Sequence, residues 1–403
     1  YSSTNHIFMK TRHLFLPAAL LLMFSACCKE NDPTTPQFYE LSNASVSQVI
    51  HVGQSDFVAV GSQFDQSNQS TAYVVRYNLQ NGVVWEQNLS HSAGRITGHR
   101  IAYYGNELYV LANDGTGDAV VHRCNLATGT SQSNVSIADT DGTDLKTDSD
   151  GALYLAGITT DVNTSKPAFN AITDLSDFLV AKLDATNLST LWQSVYGFQR
   201  VESGGELGFG TDDLRFVGTS ELDNAGSIQQ QTVAIKFRKS SPNVINQQSG
   251  TATDAQFSAA DLSGNTLAVL SYNAANALRA QTVDATANAL TELGSADLSA
   301  LLPAGRATSV HQYDGGYIVV SNSGGEAYVT GFDGNWARTW QTTLDGVAIG
   351  SQSASIGITA GKAALAAVNG ADYCVVPLNL LSNNITTATF VLVNASTGAV
   401  VRL

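Results

Sequence analysis

Leu108-Tyr-Val-Leu-Ala112, Leu153-Tyr-Leu-Ala-Gly157 and Leu214-Arg-Phe-Val-Gly218 decide the fold, because each is a short alternating apolar strand that follows a turn. The same form recurs at Phe57-Val-Ala-Val-Gly61, Leu267-Ala-Val-Leu-Ser271 and Tyr317-Ile-Val-Val-Ser321, with a weaker seventh copy at Leu365-Ala-Ala-Val368. Successive starts lie 51, 45, 61, 53, 50 and 48 residues apart, and the long third interval holds an extra loop, Thr159 to Asp177. A second strand follows each: Ala72-Tyr-Val-Val-Arg-Tyr77, Ala119-Val-Val-His-Arg-Cys124, Phe178-Leu-Val-Ala-Lys-Leu183 and Thr232-Val-Ala-Ile-Lys-Phe237, then Leu278 to Val283, Ala327 to Phe332 and Phe390 to Val393. A turn rich in Asn, Asp and Gly comes next, as at Asn81-Gly82, Asp333-Gly334 and Ser396-Thr-Gly398. The strand beyond it often carries a Trp: Trp85, Trp192 and Trp340.

A unit repeating about every fifty residues is the signature of a repeat architecture. Each unit reads as four short antiparallel strands joined by turns whose Gly or Asn supplies positive φ. One such sheet cannot bury both faces alone, whereas radial packing of successive sheets buries them and leaves only short edges. The expected fold is all-β: a seven-bladed β-propeller of four-stranded antiparallel blades. Eight blades would require splitting the last unit, which has a spare apolar run at Tyr373-Cys-Val-Val-Pro-Leu378. A pair of β-sandwiches is the rival fold, disfavoured because sandwich strands seldom recur in fours. Phe38-Tyr-Glu-Leu41 is placed to pair with the last sheet as a closing strand. The periodicity, the Trp placement and the turns resemble pyrroloquinoline-quinone-enzyme-like and SBBP-type propeller repeats over about Ser47 to Leu403. That resemblance implies the fold and leaves the chemistry open, because such propellers serve many functions.

Composition agrees with this reading. Apolar residues are 43% of the 403 and aromatics 8%, enough for a sizeable core, while charged residues are only 13%. The formal charge is −14, and loss of a leader carrying Lys10 and Arg12 takes the body to −16. An acidic surface repels phosphate backbones, so no nucleic acid is expected as a partner. Of four cysteines, Cys124 and Cys374 fall in blades 2 and 7, which are not ring neighbours, and read as small buried hydrophobes.

The first residues read as a leader. Met9 is the expected translation start, with Tyr1 to Phe8 upstream of it. Lys10, Arg12 and His13 form a basic region, and Leu14 to Phe24 is an apolar run of signal-peptide length, too short to span a bilayer. Ser25-Ala-Cys27-Cys28 resembles the lipobox of bacterial lipoproteins, with Cys27 (or Cys28) as the lipidated residue; Phe24 departs from the usual Leu. An ordinary cleaved signal peptide is the alternative. Lys29-Glu-Asn-Asp32 resembles the charged surface-export tag of some Gram-negative lipoproteins. The organisation expected is therefore leader over 1–26, lipidated Cys and tether over 27–37, and one propeller over 38–403.

Two groups of residues could carry chemistry. His51 and His311 each lie six residues ahead of their blade's second strand, in the innermost strand, where Asp261 holds the same slot in blade 5. The three could converge on a divalent metal across the channel, or the histidines could simply bond neighbouring loops. Asp139-Thr-Asp-Gly-Thr-Asp144 spaces Asp139, Asp141 and Asp144 as a Ca²⁺ loop does, although the distal bidentate Glu is missing. Its alternative, shared with Asp148-Ser-Asp-Gly151, is a turn in which Asp caps its own backbone. No Gly-x-Ser-x-Gly elbow and no His-Glu-x-x-His occurs in the sequence. The expectation is a non-enzymatic binding or scaffold lipoprotein of the outer membrane, held to the membrane by its lipid anchor. Its expected partner is an envelope protein or an extracellular glycan. The second reading is a surface enzyme acting on polysaccharide at the channel mouth.

Overall fold

The computed structural model describes residues 39–67, 69–92, 94–160, 168–169, 176–198, 201–224, 227–241, 244–249, 255–286, 290–345 and 357–401. The leader, Cys27, Cys28 and the tether lie outside them.

Alternating apolar residues do what their period dictates. In blade 2 every residue of Leu108–Ala112 is buried, one set against each neighbouring blade, because a propeller sheet is covered on both faces. Blade 1 runs Ala44–Gly53, Asp56–Phe64, Ser70–Asn78, Gly82–Leu89, and blade 2 runs Ile96–Tyr104, Glu107–Asp114, Ala119–Asn125, Ser131–Ile137. Blades 3 to 6 repeat the antiparallel meander from innermost to outermost strand, starting at Thr140–Thr147, Glu202–Phe209, Gln256–Asp261 and Arg306–Tyr313. The result is a seven-bladed β-propeller. Each innermost strand lies against the next blade, and blade 7 packs on blade 1, so the ring is closed.

Blade 7 departs from the sequence reading. Leu365-Ala-Ala-Val368 is not its second strand but the latter half of a broken innermost strand, Gly357–Ala360 plus Ala364–Val368. The spare apolar run is the true second strand, Ala371–Ser382, so no eighth blade is needed. The break has a physical cause. Gly361 lies so close to blade 1 that a Cβ would sit 2.6 Å from the Ser47 carbonyl oxygen. There Lys362 N donates to Ser47 O (2.8 Å) and Val49 N to Lys362 O (3.0 Å), joining blade 7 to blade 1 through the main chain.

The third strand of blade 7, Ile385–Asn394, is flanked by both ends of the domain. Val400–Val401 pairs Val393 and Leu392, and Leu41–Ser42 pairs Ala388 and Thr387. Tyr39, just ahead, stacks on Phe390 with ring centroids 5.9 Å apart. Of the closing strand expected from Phe38-Tyr-Glu-Leu41, only Leu41 pairs with the last sheet, together with Ser42, and Phe38 lies outside the described residues.

Side chains tie blade to blade. Trp85 Nε1 donates to Leu126 O (3.0 Å) in blade 2, and its ring fills the space a Cβ on Gly129 would take. Trp340 meets Gly398 of blade 7 in the same way, so these Trp residues are interblade packing. The cation at the fifth position of the third-strand motif repeats the theme. Arg76 bonds Leu126 O (3.1 Å), Arg123 bonds Thr186 O and Lys236 bonds Ala285 O (2.7 Å), each in the following blade. Asp56, Glu107 and Asp213 neutralise them. Cys124 and Cys374 are free and buried.

Candidate functional site

A bulge recurs in the innermost strands of blades 1 to 6, at Val46/Gln48, Gly98/Arg100, Gly142/Asp144, Ser203/Glu206, Phe257/Ala259 and Ala307/Ser309. A bulge inserts one residue and re-aims the side chain that follows it. Gln48 Oε1 consequently accepts from Ile101 N of blade 2 (2.9 Å), and Asp144 Oδ2 from Leu207 N of blade 4 (2.8 Å). Ser309 Oγ accepts from Ala363 N of blade 7 (2.8 Å). In blade 7 the strand break puts Lys362 at the corresponding place.

These positions gather charge at the axis. Asp144, fully buried, stands 3.8 Å from both Arg100 Nε and Lys146 Nζ. Lys362 of blade 7 pairs with Glu206 of blade 4 across the ring. Burial opposes ionisation of Asp144, but Lys146, Lys362 and Arg100 outweigh it and hold its carboxyl below the usual range. Burial pushes the Lys362 ammonium below its ordinary value despite Glu206 and Asp144. It also pushes His99 down to about 3 and His311 to about 4, with Arg100 adding for His99 and Asp261 opposing for His311. Arg100, Lys146 and Lys362 and the carboxylates of Asp144, Glu206 and Asp261 therefore form one interacting, half- to fully buried group with two neutral imidazoles. A partnered, charge-balanced group of this kind suits a plug better than a reactive centre.

Of the sequence candidates, Asp261 and His311 belong to this group and interact with each other electrostatically. Asp261 also caps its own turn through Ser263 N (3.0 Å) and accepts from Gln312 N (2.7 Å). His51 packs instead on Phe57, ring centroids 5.3 Å apart. Asp139, Asp141 and Asp144 are not gathered round one turn: Asp144 faces the axis, Asp141 accepts from Asn113 Nδ2, and Asp139 N donates to Asp118 Oδ1 (2.9 Å). Asp148 caps its own turn through the amides of Asp150 (3.0 Å) and Ala152 (2.9 Å). Among the described residues no three His, Cys, Asp or Glu side chains are grouped to hold a metal ion.

One face carries the second-to-third strand hairpins and the crossovers between blades. There a cleft of about 490 Å³ opens over blades 2 to 4. Asp139, Asp141, Glu202, Thr143, Thr160 and Ser203 line it, with Ile158 as an apolar wall and Gly117 and Gly204 at its edge. No lysine or arginine is among these lining residues. Burial raises the Asp141 carboxyl above its usual value. The cleft is thus acidic and rich in hydroxyls, suited to a basic or polyhydroxylated group.

No protein-family model matches the sequence, and no curated protein matches it. Solved structures do resemble it. Sqt1 of Saccharomyces cerevisiae is 12% identical over 90% of this chain and 86% of that one, with a TM-score of 0.53. A chain of the mitotic checkpoint complex is 10% identical over 89% and 94%, TM-score 0.52. An acylaminoacyl peptidase in complex with Z-Gly-Gly-Phe-chloromethyl ketone is 9% identical over 87% of this chain, TM-score 0.51, and this chain spans 51% of its length. At such identities the likeness shows the propeller fold alone.

Proposed function

We propose that this chain is a membrane-anchored envelope lipoprotein whose propeller is a binding or scaffold module for a protein or an extracellular polymer. The observation that carries the reading is the fate of the axial carboxylates. Glycoside cleavage needs two carboxyl groups free to act on either side of a sugar. Here Asp144 and Glu206 are each held by Lys or Arg, which favours binding over a polysaccharide-acting enzyme at the channel. The open acidic cleft supplies a recognition surface on the face of the ring. Its charge suits a basic protein patch or a neutral glycan. The leader supports an outer-membrane address with Cys27, or Cys28, as the acylated residue.

The test is recovery of the native lipoprotein from solubilised envelope, beside an Asp139→Asn, Ser203→Arg variant that removes the cleft's charge and blocks it. A partner protein or polymer should accompany the wild type and be lost from the variant. Equal recovery with both would remove the cleft from the reading. Fatty-acid labelling that persists in a Cys27→Ala, Cys28→Ala double variant would remove the anchor.

A further inference from the structure

We propose that Ser136, His91 and Asp114 form a Ser-His-Asp acyl-transfer centre at the edge of blade 2, able to cleave uncharged or cationic carboxylic esters. The three side chains stand outside the cleft of the binding reading, although that cleft would set which esters reach them. Ser136 Oγ lies 3.1 Å from His91 Nε2, and His91 Nδ1 lies 3.7 Å from Asp114 Oδ2. Nucleophile, base and orienting carboxylate thus stand in the order the chemistry requires, and recognition rests on that geometry rather than on a sequence motif. The second distance has to shorten by under 1 Å to become a hydrogen bond, as such bonds do on substrate binding.

The fold explains why each group points where it does. His91 sits in the crossover from blade 1 to blade 2, where Gly94 N closes a tight turn onto its carbonyl (3.0 Å). Asp114 ends the second strand of blade 2, and Oδ1 is consumed by its own turn: Thr116 N and Oγ1 (each 2.8 Å) and Asp118 N (3.0 Å). Oδ2, buried, is left to face His91. Burial works against this carboxylate, yet the Asp118 and Thr116 donors outweigh it and hold its carboxyl below the ordinary range. An ionised Asp114 favours the proton on His91 Nδ1, the tautomer in which Nε2 accepts from Ser136. His122 is a further titratable neighbour, beside Asp118 of the same turn; burial, with His91 adding, pushes His122 down to about 4, so it stays neutral. Arg95, in the same crossover, turns away to Ser70 Oγ (3.3 Å).

Ser136 is exposed near the end of the outermost strand, and it is not itself among the residues that line the acidic cleft. Asp139, three residues on, and Gly117, in the Asp114 turn, both line that cleft. It would receive the acyl or alcohol portion and repel anionic esters. In the first step Ser136 Oγ bonds the ester carbonyl carbon while His91 Nε2 takes the hydroxyl proton. The carbon–oxygen bond to the alcohol then breaks, and the departing alkoxide receives that proton. Water, deprotonated by Nε2, attacks the acyl-serine, releases the carboxylic acid and returns the proton to Ser136. Water is the sole co-reactant.

The experiment uses the folded chain, a fluorophosphonate reagent and p-nitrophenyl acetate. One equivalent of reagent should attach, mapped to Ser136, and ester turnover should fall about 10²-fold or more in Ser136→Ala or His91→Gln. Asp114→Asn keeps an oxygen for the turn but presents an amide donor to Nδ1. It should cut turnover by about 10²-fold or more and displace the acid limb of the pH–rate profile. Absence of labelling, or labelling elsewhere than Ser136, overturns the proposal. So does unchanged turnover in a normally melting Ser136→Ala, which would mark the three residues as a staple between blades 1 and 2.

Discussion

Ring closure can be weighed at a single side chain. Tyr39 is only 8% exposed, between Phe390 on one side and the edge of Tyr77 (5.9 Å) on the other, and its hydroxyl meets that of Tyr73. A buried tyrosine removes about 200 Å² from water, near 5 kcal/mol at about 25 cal/mol per Å². The strand carrying it pairs through only Leu41 and Ser42 and can detach once loosened, which limits the loss. Tyr39→Ala should therefore cost about 3 kcal/mol, the lower end for truncating a core aromatic. Tyr39→Phe keeps the rings packed, and the Tyr73 hydroxyl keeps Glu86 Oε2 at 2.9 Å, so about 1 kcal/mol or less should be lost. Urea unfolding followed by tryptophan fluorescence reads both as midpoint shifts at constant slope. A Tyr39→Ala midpoint equal to wild type would refute the closing role. Alkali supplies an independent arm. Burial, helped by Glu86, pushes both phenols far above their ordinary range, and for Tyr73 the Tyr39 bond adds. Phenols raised in the folded state stabilise it fully below pH 10 and progressively less above it. Closure should thus weaken above pH 10, and less steeply in Tyr39→Phe.

Acid should act through the axis. His99 and His311 are depressed to about 3 and about 4, so their contribution is complete above pH 6.5 and is lost as pH falls towards those values. Each costs about 1.4 kcal/mol per pH unit in that window. His311→Asn should flatten the slope between pH 6.5 and 4, and an unaltered slope would contradict the assignment. Free Ca²⁺ up to millimolar should leave the melting temperature unchanged, since Asp144 is committed to the axis; a rise abolished by Asp141→Ala would restore the acidic turn as a cation site. Joining the two ends that flank Ile385–Asn394 and opening the chain near Asn163 should give one cooperative transition, whereas two transitions would argue against a single ring.

What the sequence makes legible is whatever local alternation dictates. Leu108–Ala112 and its counterparts, the third strands and the Trp positions all carry a period of two, and the structure puts them where that period says. Blade 7 was misleading because Gly361 breaks its innermost strand. The half at Leu365–Val368 then resembles a second strand standing alone. The charged axial group is hard to read in the sequence for a related reason. In blades 1 to 6 a bulge lies two or three residues ahead of the slot counted back from the second strand, and the local period does not reveal it. His51, Asp261 and His311 were singled out in place of Arg100, Asp144, Glu206 and Lys362. The cations at Arg76, Arg123 and Lys236 were visible as a repeat, but what they reach belongs to the next blade.

Ser136, His91 and Asp114 show the same limit at the level of chemistry. They come from an outer strand, a crossover and a hairpin turn, each ordinary in its own segment, and no motif spans them. What unites them is the meander, which returns the end of its fourth strand and the turn after its second to one face of the blade. The crossover from the preceding blade arrives at that face as well. The junction at blade 3 carries other side chains: the crossover entering it brings Asp139 to Asp118, and Asp139 lines the cleft. With the axis closed by ion pairs, these junctions are where a rigid ring has side chains to vary without loosening its core. Recognition in the cleft and acyl transfer at Ser136 both draw on that freedom, and they can be separated. Ser136→Ala should abolish fluorophosphonate labelling while the envelope partner is still recovered, because Ser136 is not among the residues that line the cleft.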